Sequence, residues 1–114
     1  MVRASLRMKF APDKYAQARD ILTSLVERTK VCPGCQGCNV CQDVLDPHVL
    51  IFEEWWETDT DLEQHLGSES YWPVILVMEM AAEQPKIRFD SISGSTGMET
   101  LEKARSFIPR KGSS

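Results

Sequence analysis

The chain has 114 residues, 42% of them hydrophobic and 26% charged, which suits one globular domain with a real core and excludes disorder by composition. Net charge is −4, and it is unevenly spread: residues 31–85 hold eleven acids and no Lys or Arg, the first 30 residues seven bases against three acids, and the stretch from Lys86 six against three. With no basic stripe through its middle the chain is a poor nucleic-acid partner, and its longest apolar stretch, residues 74–78, is far short of the ~20 needed to cross a bilayer.

Residues 2–10 alternate, with Val2, Ala4, Leu6, Met8 and Phe10 on one face and Arg3, Arg7 and Lys9 on the other. That pattern predicts a half-buried strand, and it reads against a secretory leader, so a cytoplasmic protein is expected. Pro12 then opens a helix with Asp13 as its N-cap, and Ala18, Ile21, Leu22, Leu25 and Val26 form an apolar stripe to about Lys30. Pro33, Gly34 and Gly37 exclude a helix through the cysteine region, which reads as a loop entering a strand over residues 38–44. Asp46-Pro47 marks a turn, and residues 48–56 complete an antiparallel hairpin.

Thr58 and Asp61 resemble a capping box that opens a short helix through Leu62 and Leu66, ended by Gly67. Ser68 is the expected cap of the next helix, which passes Trp72, Ile75, Leu76 and Met80 and stops at Pro85. Ile87, Phe89 and Ser91 alternate with Lys86, Arg88 and Asp90 in a last strand. Beyond a loop at residues 94–97, Met98 to about Phe107 reads as a terminal helix with Leu101 and Ala104 inward, and residues 109–114 should fray. The order β-α-β-β-α-β predicts an α+β, ferredoxin-like sandwich over residues 1–94, with residues 95–114 as a C-terminal helix and tail.

The strand at residues 48–56 is apolar on both faces, Leu50, Phe52 and Trp56 on one and Val49, Ile51 and Trp55 on the other. A strand of that kind is covered on both sides, and so small a domain can cover only one, so a homodimer is expected. In a ferredoxin-like sheet of order 4-1-3-2 the two basic strands form one half. The hairpin, with Asp43, Glu53 and Glu54, forms the other. A two-fold axis would lay basic half on acidic half, the interface taking either the Val49, Ile51, Trp55 set or the Leu50, Phe52 set.

Several motifs occur in a fixed order. Pro33-Gly34-Cys35 precedes the second strand, Gln42-Asp43 and Asp46-Pro47 frame the hairpin, and Glu54 and Trp56 are followed by His65-Leu66, eleven residues on from Glu54. Ser68 and Tyr71 begin the next helix, and residues 84–89 close the pattern. Taken in register over residues 35–93, these motifs resemble the antibiotic-biosynthesis monooxygenase family, whose members form dimeric α+β barrels. The resemblance implies insertion of oxygen from O2 into a phenol, quinol or anthrone-like aromatic, with no flavin or metal cofactor.

Such chemistry asks for a base near neutral pKa, a dry pocket and donors for a developing oxyanion. His65 on its helix is the candidate base, a histidine side chain ordinarily titrating near pH 6.5, with Glu54 as the second catalytic candidate. Trp56, Tyr71 and Trp72 are the candidates to stack on a planar substrate. Haem-degrading relatives use an Asn, a Trp and a His, but here His65 and Ile75 stand near the places of that Trp and His, so haem is not the implied substrate. Of the Asn, Trp, Tyr and Arg of anthrone-oxidising relatives, only Trp56 has a counterpart, since residues 31–85 contain no Arg. The competing reading is a non-catalytic ligand-binding or stress-related dimer of the same fold.

Cys32, Cys35, Cys38 and Cys41 recur every third residue. Zinc ribbons separate two Cys pairs by a longer loop, and the bacterial ferredoxin run ends in Cys-Pro, so neither pattern fits. An odd step along a strand would also point Cys38 and Cys41 to opposite faces. Plain thiols are the preferred reading. A disulfide or redox pair at Cys32-Pro33-Gly34-Cys35 and a metal module are the alternatives.

Overall fold

The alternation at the N-terminus becomes strand β1 (Val2–Lys9), with its even-numbered residues buried and its odd-numbered ones facing out, in a computed structural model that describes residues 1–105. In chain order there follow α1 (Pro12–Lys30), β2 (Cys35–Gln42), β3 (Val49–Trp56), α2 (Asp59–Leu66), α3 (Trp72–Met80), β4 (Lys86–Ser91) and α4 (Met98–Ala104), and one 3₁₀ turn, Glu69–Tyr71, leads into α3. The four strands form one antiparallel sheet of order β2-β3-β1-β4, the expected ferredoxin-like arrangement.

Local departures have local causes. Helix α1 is entered from Ala11, with Pro12 in its first position, so Asp13 is not the N-cap and sits instead in the first turn. There the positive end of the helix dipole still favours its charge. The hairpin's first strand begins at Cys35 and ends at Gln42, earlier at both ends than its composition suggested, because a tight turn brings Cys35 opposite Trp56. Thr58 does cap α2, its Oγ1 accepting from the Asp61 N–H, whereas Ser68 caps nothing and donates its hydroxyl back to the His65 carbonyl. Helix α3 ends at Met80, well before Pro85: Ala81 is extended and the Ala82 N–H reaches the Lys9 carbonyl, tying the chain to the end of β1. Leu101 and Ala104 do not face inward, and α4 buries no residue. Phe107 and residues 109–114 lie outside the described residues.

The helices cover one face of the sheet, and two apolar clusters lie beneath them. The larger joins Leu6, Met8, Phe10, Leu22, Phe52 and Val77 among others, under α1 and α3. The smaller joins Val2, Ala4, Trp56 and Leu62, with Cys32, Cys35 and Leu66 packed against it, at the other end of the same face. Glu54 also points to this side, because it stands between Ala4 and Cys38 across the sheet. It therefore adds no charge to the outer face, contrary to the expected acidic half.

On that outer face the basic side chains of β1 find partners in their own chain. Arg3 pairs with Asp90 at 3.1 Å, Arg7 with Asp43 at 2.6 Å and Lys9 with Asp46 at 3.0 Å. The Arg7 guanidinium beside Asp43 holds that carboxyl below the usual range, and Arg88, with Arg3, does the same for Asp90. The charge complementarity expected between two copies is thus largely satisfied within one. Among the described residues no helix is long and apolar enough to cross a membrane.

Candidate functional site

Strand β3 delivers Glu54 and Trp56 to the helix-covered face because each is two residues from the next inward position, and both are buried. The Thr58 cap then starts α2 across the end of the sheet. Leu62 and His65, three residues apart on one side of that helix, are its buried positions. The 3₁₀ turn that follows buries Tyr71 beside the same helix.

These elements meet at His65. Its Nε2 lies 2.8 Å from Glu54 Oε2, with both side chains almost wholly buried. The imidazole is also 4.5 Å, centroid to centroid, from the Trp56 ring at a 32° tilt, and 5.4 Å from the Tyr71 ring edge-on. Burial, then the Glu54 charge, pushes the Tyr71 phenol well above its ordinary range, so Tyr71 is a neutral donor at any physiological pH. Despite the short approach, Glu54 Oε2 has no well-directed hydrogen bond, and Trp56 Nε1 has none either. A carboxylate oxygen and an indole N–H, buried and without directed partners around one imidazole, are unusual in a native chain.

His65 opens onto two small clefts of about 200 Å³ each, which share Cys32, His65 and Ser70. One is completed by Leu25, Arg28, Thr29 and the start of α3, the other by Pro33, Trp56, Gln64 and Ser68 among others. The structure therefore brings together His65, Glu54, Trp56 and Tyr71, four of the five residues singled out in the sequence. Trp72 stands apart, 60% exposed on α3. Sequence reasoning did not place Arg28 or Cys32 beside His65. Both lie at the C-terminal end of α1 and after it, far from His65 in the chain, so no spacing rule linked them to it.

The other cysteines diverge. Cys38 is buried beneath α1, where burial above all pushes its thiol up to about 12. Cys41 is exposed on the outer face, opposite Ile51. No group of three or more metal-binding side chains converges among the described residues.

The sequence model of the family described as "Antibiotic biosynthesis monooxygenase" matches residues 1–72. No curated protein matches. Among solved structures, a Deinococcus radiodurans protein provisionally described as an antibiotic biosynthesis monooxygenase is 17% identical, with a TM-score of 0.78 covering 85% of this chain and 97% of its own. Rv0793 from Mycobacterium tuberculosis is 20% identical, with a TM-score of 0.76 over 84% of this chain and 98% of its own. A conserved protein from Methanosarcina mazei Go1 is 24% identical, with a TM-score of 0.72 over 78% and 89%. At such identities the likeness speaks to the fold alone.

Proposed function

Since the chain belongs to the antibiotic biosynthesis monooxygenase family, we propose that it oxidises a small phenol or quinol with O2 in the clefts beside His65. The observation that carries this reading is the buried Glu54–His65 contact at 2.8 Å, flanked by the Trp56 and Tyr71 rings. His65 takes the substrate's hydroxyl proton, and the Glu54 carboxylate stabilises the imidazolium that results. The phenolate is electron-rich enough to pass one electron to O2. Recombination of the two radicals and loss of water then yield a quinone, so that phenol and O2 become quinone and H2O without an external reductant. Neither flavin nor metal is needed for that balance.

The Trp56 ring in the wall of one cleft stacks on the substrate, and Arg28 sets a cation in the wall of the other. Clefts of about 200 Å³ favour one or two rings over a tricyclic anthrone. The working unit in this reading is a homodimer, packed through the outer face where Ile51 and Trp55 remain half-buried; Leu50 and Phe52 lie under the chain's own helices.

Oxygen uptake with a panel of phenols, quinols and anthrones tests the reading. His65→Ala should lower turnover by about 10²–10⁴-fold with the fold intact by circular dichroism. Undiminished uptake in that variant removes His65 from the mechanism. Binding of these compounds without any uptake by the wild type makes the protein a ligand-binding dimer instead. Sedimentation showing a stable monomer at micromolar concentration refutes the dimer.

A further inference from the structure

Cys32 and Cys35 belong to neither apolar packing alone nor the acid–base pair, yet they are held in a defined geometry. Cys32-Pro33-Gly34-Cys35 is a type II β-turn: the Cys35 N–H closes onto the Cys32 carbonyl at 3.0 Å, and Gly34 at the third position has φ +83°. The turn is clamped from both sides. Glu57 N–H donates to the Gly34 carbonyl at 2.8 Å, and any side chain at Gly34 would run into Asp61 of α2.

A closed β-turn keeps its end Cα atoms within ~7 Å, and disulfides span ~4.4–6.8 Å between theirs. Both cysteines are partly exposed and both pack against the same cluster around Trp56 and Leu62. Each thiol donates only to a backbone carbonyl, Cys32 to Arg28 at 3.5 Å and Cys35 to Gly37 at 3.4 Å, so no side chain holds them apart.

We propose that Cys32 and Cys35 form a reversible dithiol–disulfide site in the cleft wall, oxidised by a small-molecule disulfide of the glutathione type. The Cys32 thiolate, which faces the clefts, attacks the small disulfide, forms a mixed disulfide and releases one small thiol. Cys35 then loses its proton and attacks Cys32 Sγ, expelling the second. Two protein thiols are oxidised and one small disulfide is reduced to two thiols.

The pair follows the C-terminus of α1, whereas strongly oxidising Cys-x-x-Cys sites sit at a helix N-terminus that stabilises the thiolate. Burial pushes the Cys35 thiol up, so the reduced form gains no such support and the bridge resists reduction. Bridging also ends the Cys32 thiol's hydrogen bond to the Arg28 carbonyl, which changes the wall that Cys32 shares with His65.

The test equilibrates the full chain in glutathione buffers of graded oxidation, quenches in acid, labels free thiols with a maleimide and weighs the intact protein. The expected product carries two labels fewer than the reduced chain. Residues 31–85 contain no Lys or Arg, so trypsin leaves all four cysteines in one fragment and variants must assign the bridge. Cys38→Ala/Cys41→Ser should still lose two labels. Cys35→Ser should lose the bridge and carry one glutathione on Cys32, and Cys32→Ala should form no bridge, serving the same purpose if Cys35→Ser does not fold. Four free thiols at every buffer ratio, or a bridge that survives in Cys32→Ala, overturns the proposal. The readout involves no oxygen uptake, so it stands or falls apart from the monooxygenase reading.

Discussion

The two apolar clusters under the helices are built from the same sheet face but covered differently. The 19-residue α1 and α3 lie over the larger one, and its residues are almost all apolar. The smaller one is covered by the eight-residue α2 and the Cys32–Cys35 turn, and it borders Glu54, His65 and the two small clefts. A long helix excludes water along its whole stripe, so polar groups beneath it would be stranded. A short helix and a turn leave gaps, and there a buried acid can be matched by an imidazole arriving from the covering element. The chemistry sits where the cover is thinnest.

Core truncation and pair-breaking should separate the two regions most clearly. Phe52→Ala in the larger cluster should cost about 3–5 kcal/mol in denaturant unfolding. His65→Phe in the smaller should cost a similar ~3–5 kcal/mol, for another reason: it leaves the Glu54 carboxylate buried without its partner. Adding Glu54→Leu should restore most of that loss. If the double variant is no more stable than His65→Phe alone, the contact at 2.8 Å is not an energetically coupled pair.

Alkaline pH should weaken the protein through the larger cluster and its border. In the unfolded chain the Cys38 thiol loses its proton from its ordinary 9.0, whereas in the folded chain it is kept to about 12. Over that window the unfolded state binds fewer protons, so stability falls as pH rises, by about 1 kcal/mol per pH unit. Tyr71, also raised, extends the fall above its ordinary 10.0. Urea titrations at pH 8 to 11 should show the decline, and Cys38→Ala should flatten its first part. A Cys38→Ala slope equal to that of the wild type would remove this assignment.

The cap of α2 should contribute less. Thr58→Ala removes the acceptor for the Asp61 N–H and should cost about 1 kcal/mol by thermal unfolding. The smallest effect is expected at the terminal helix, where Leu101→Ala should stay within ~0.5 kcal/mol, since α4 buries nothing. A larger loss in a concentration-dependent melt would mean that α4 packs on a second copy.

Much of this was legible in advance. Alternation in β1, the stripe of α1 and the Thr58 cap are local patterns with local causes, so those elements and their order could be read from residue spacing. The motif pairing Glu54, Trp56 and His65 likewise named three residues that the fold brings into contact. Boundaries were less legible where a distant contact ended an element. Helix α3 stops at Met80 because Ala82 bonds to Lys9, and no residue near Met80 signals that.

The amino-acid pattern by itself determined the α+β class, the strand order through its ferredoxin-like sequence of elements, and the apolar character of both faces of β3. Only the tertiary structure decided that the inward-facing Glu54 meets His65, that Arg3 and Arg7 pair within the chain, and that Cys32 and Arg28 reach the clefts. The physical reason is reach. Spacing fixes which side of its own element a residue takes, but a partner is set by how elements pack, and His65, Cys32 and Arg28 come from segments that meet only when α1 and α2 close over the sheet.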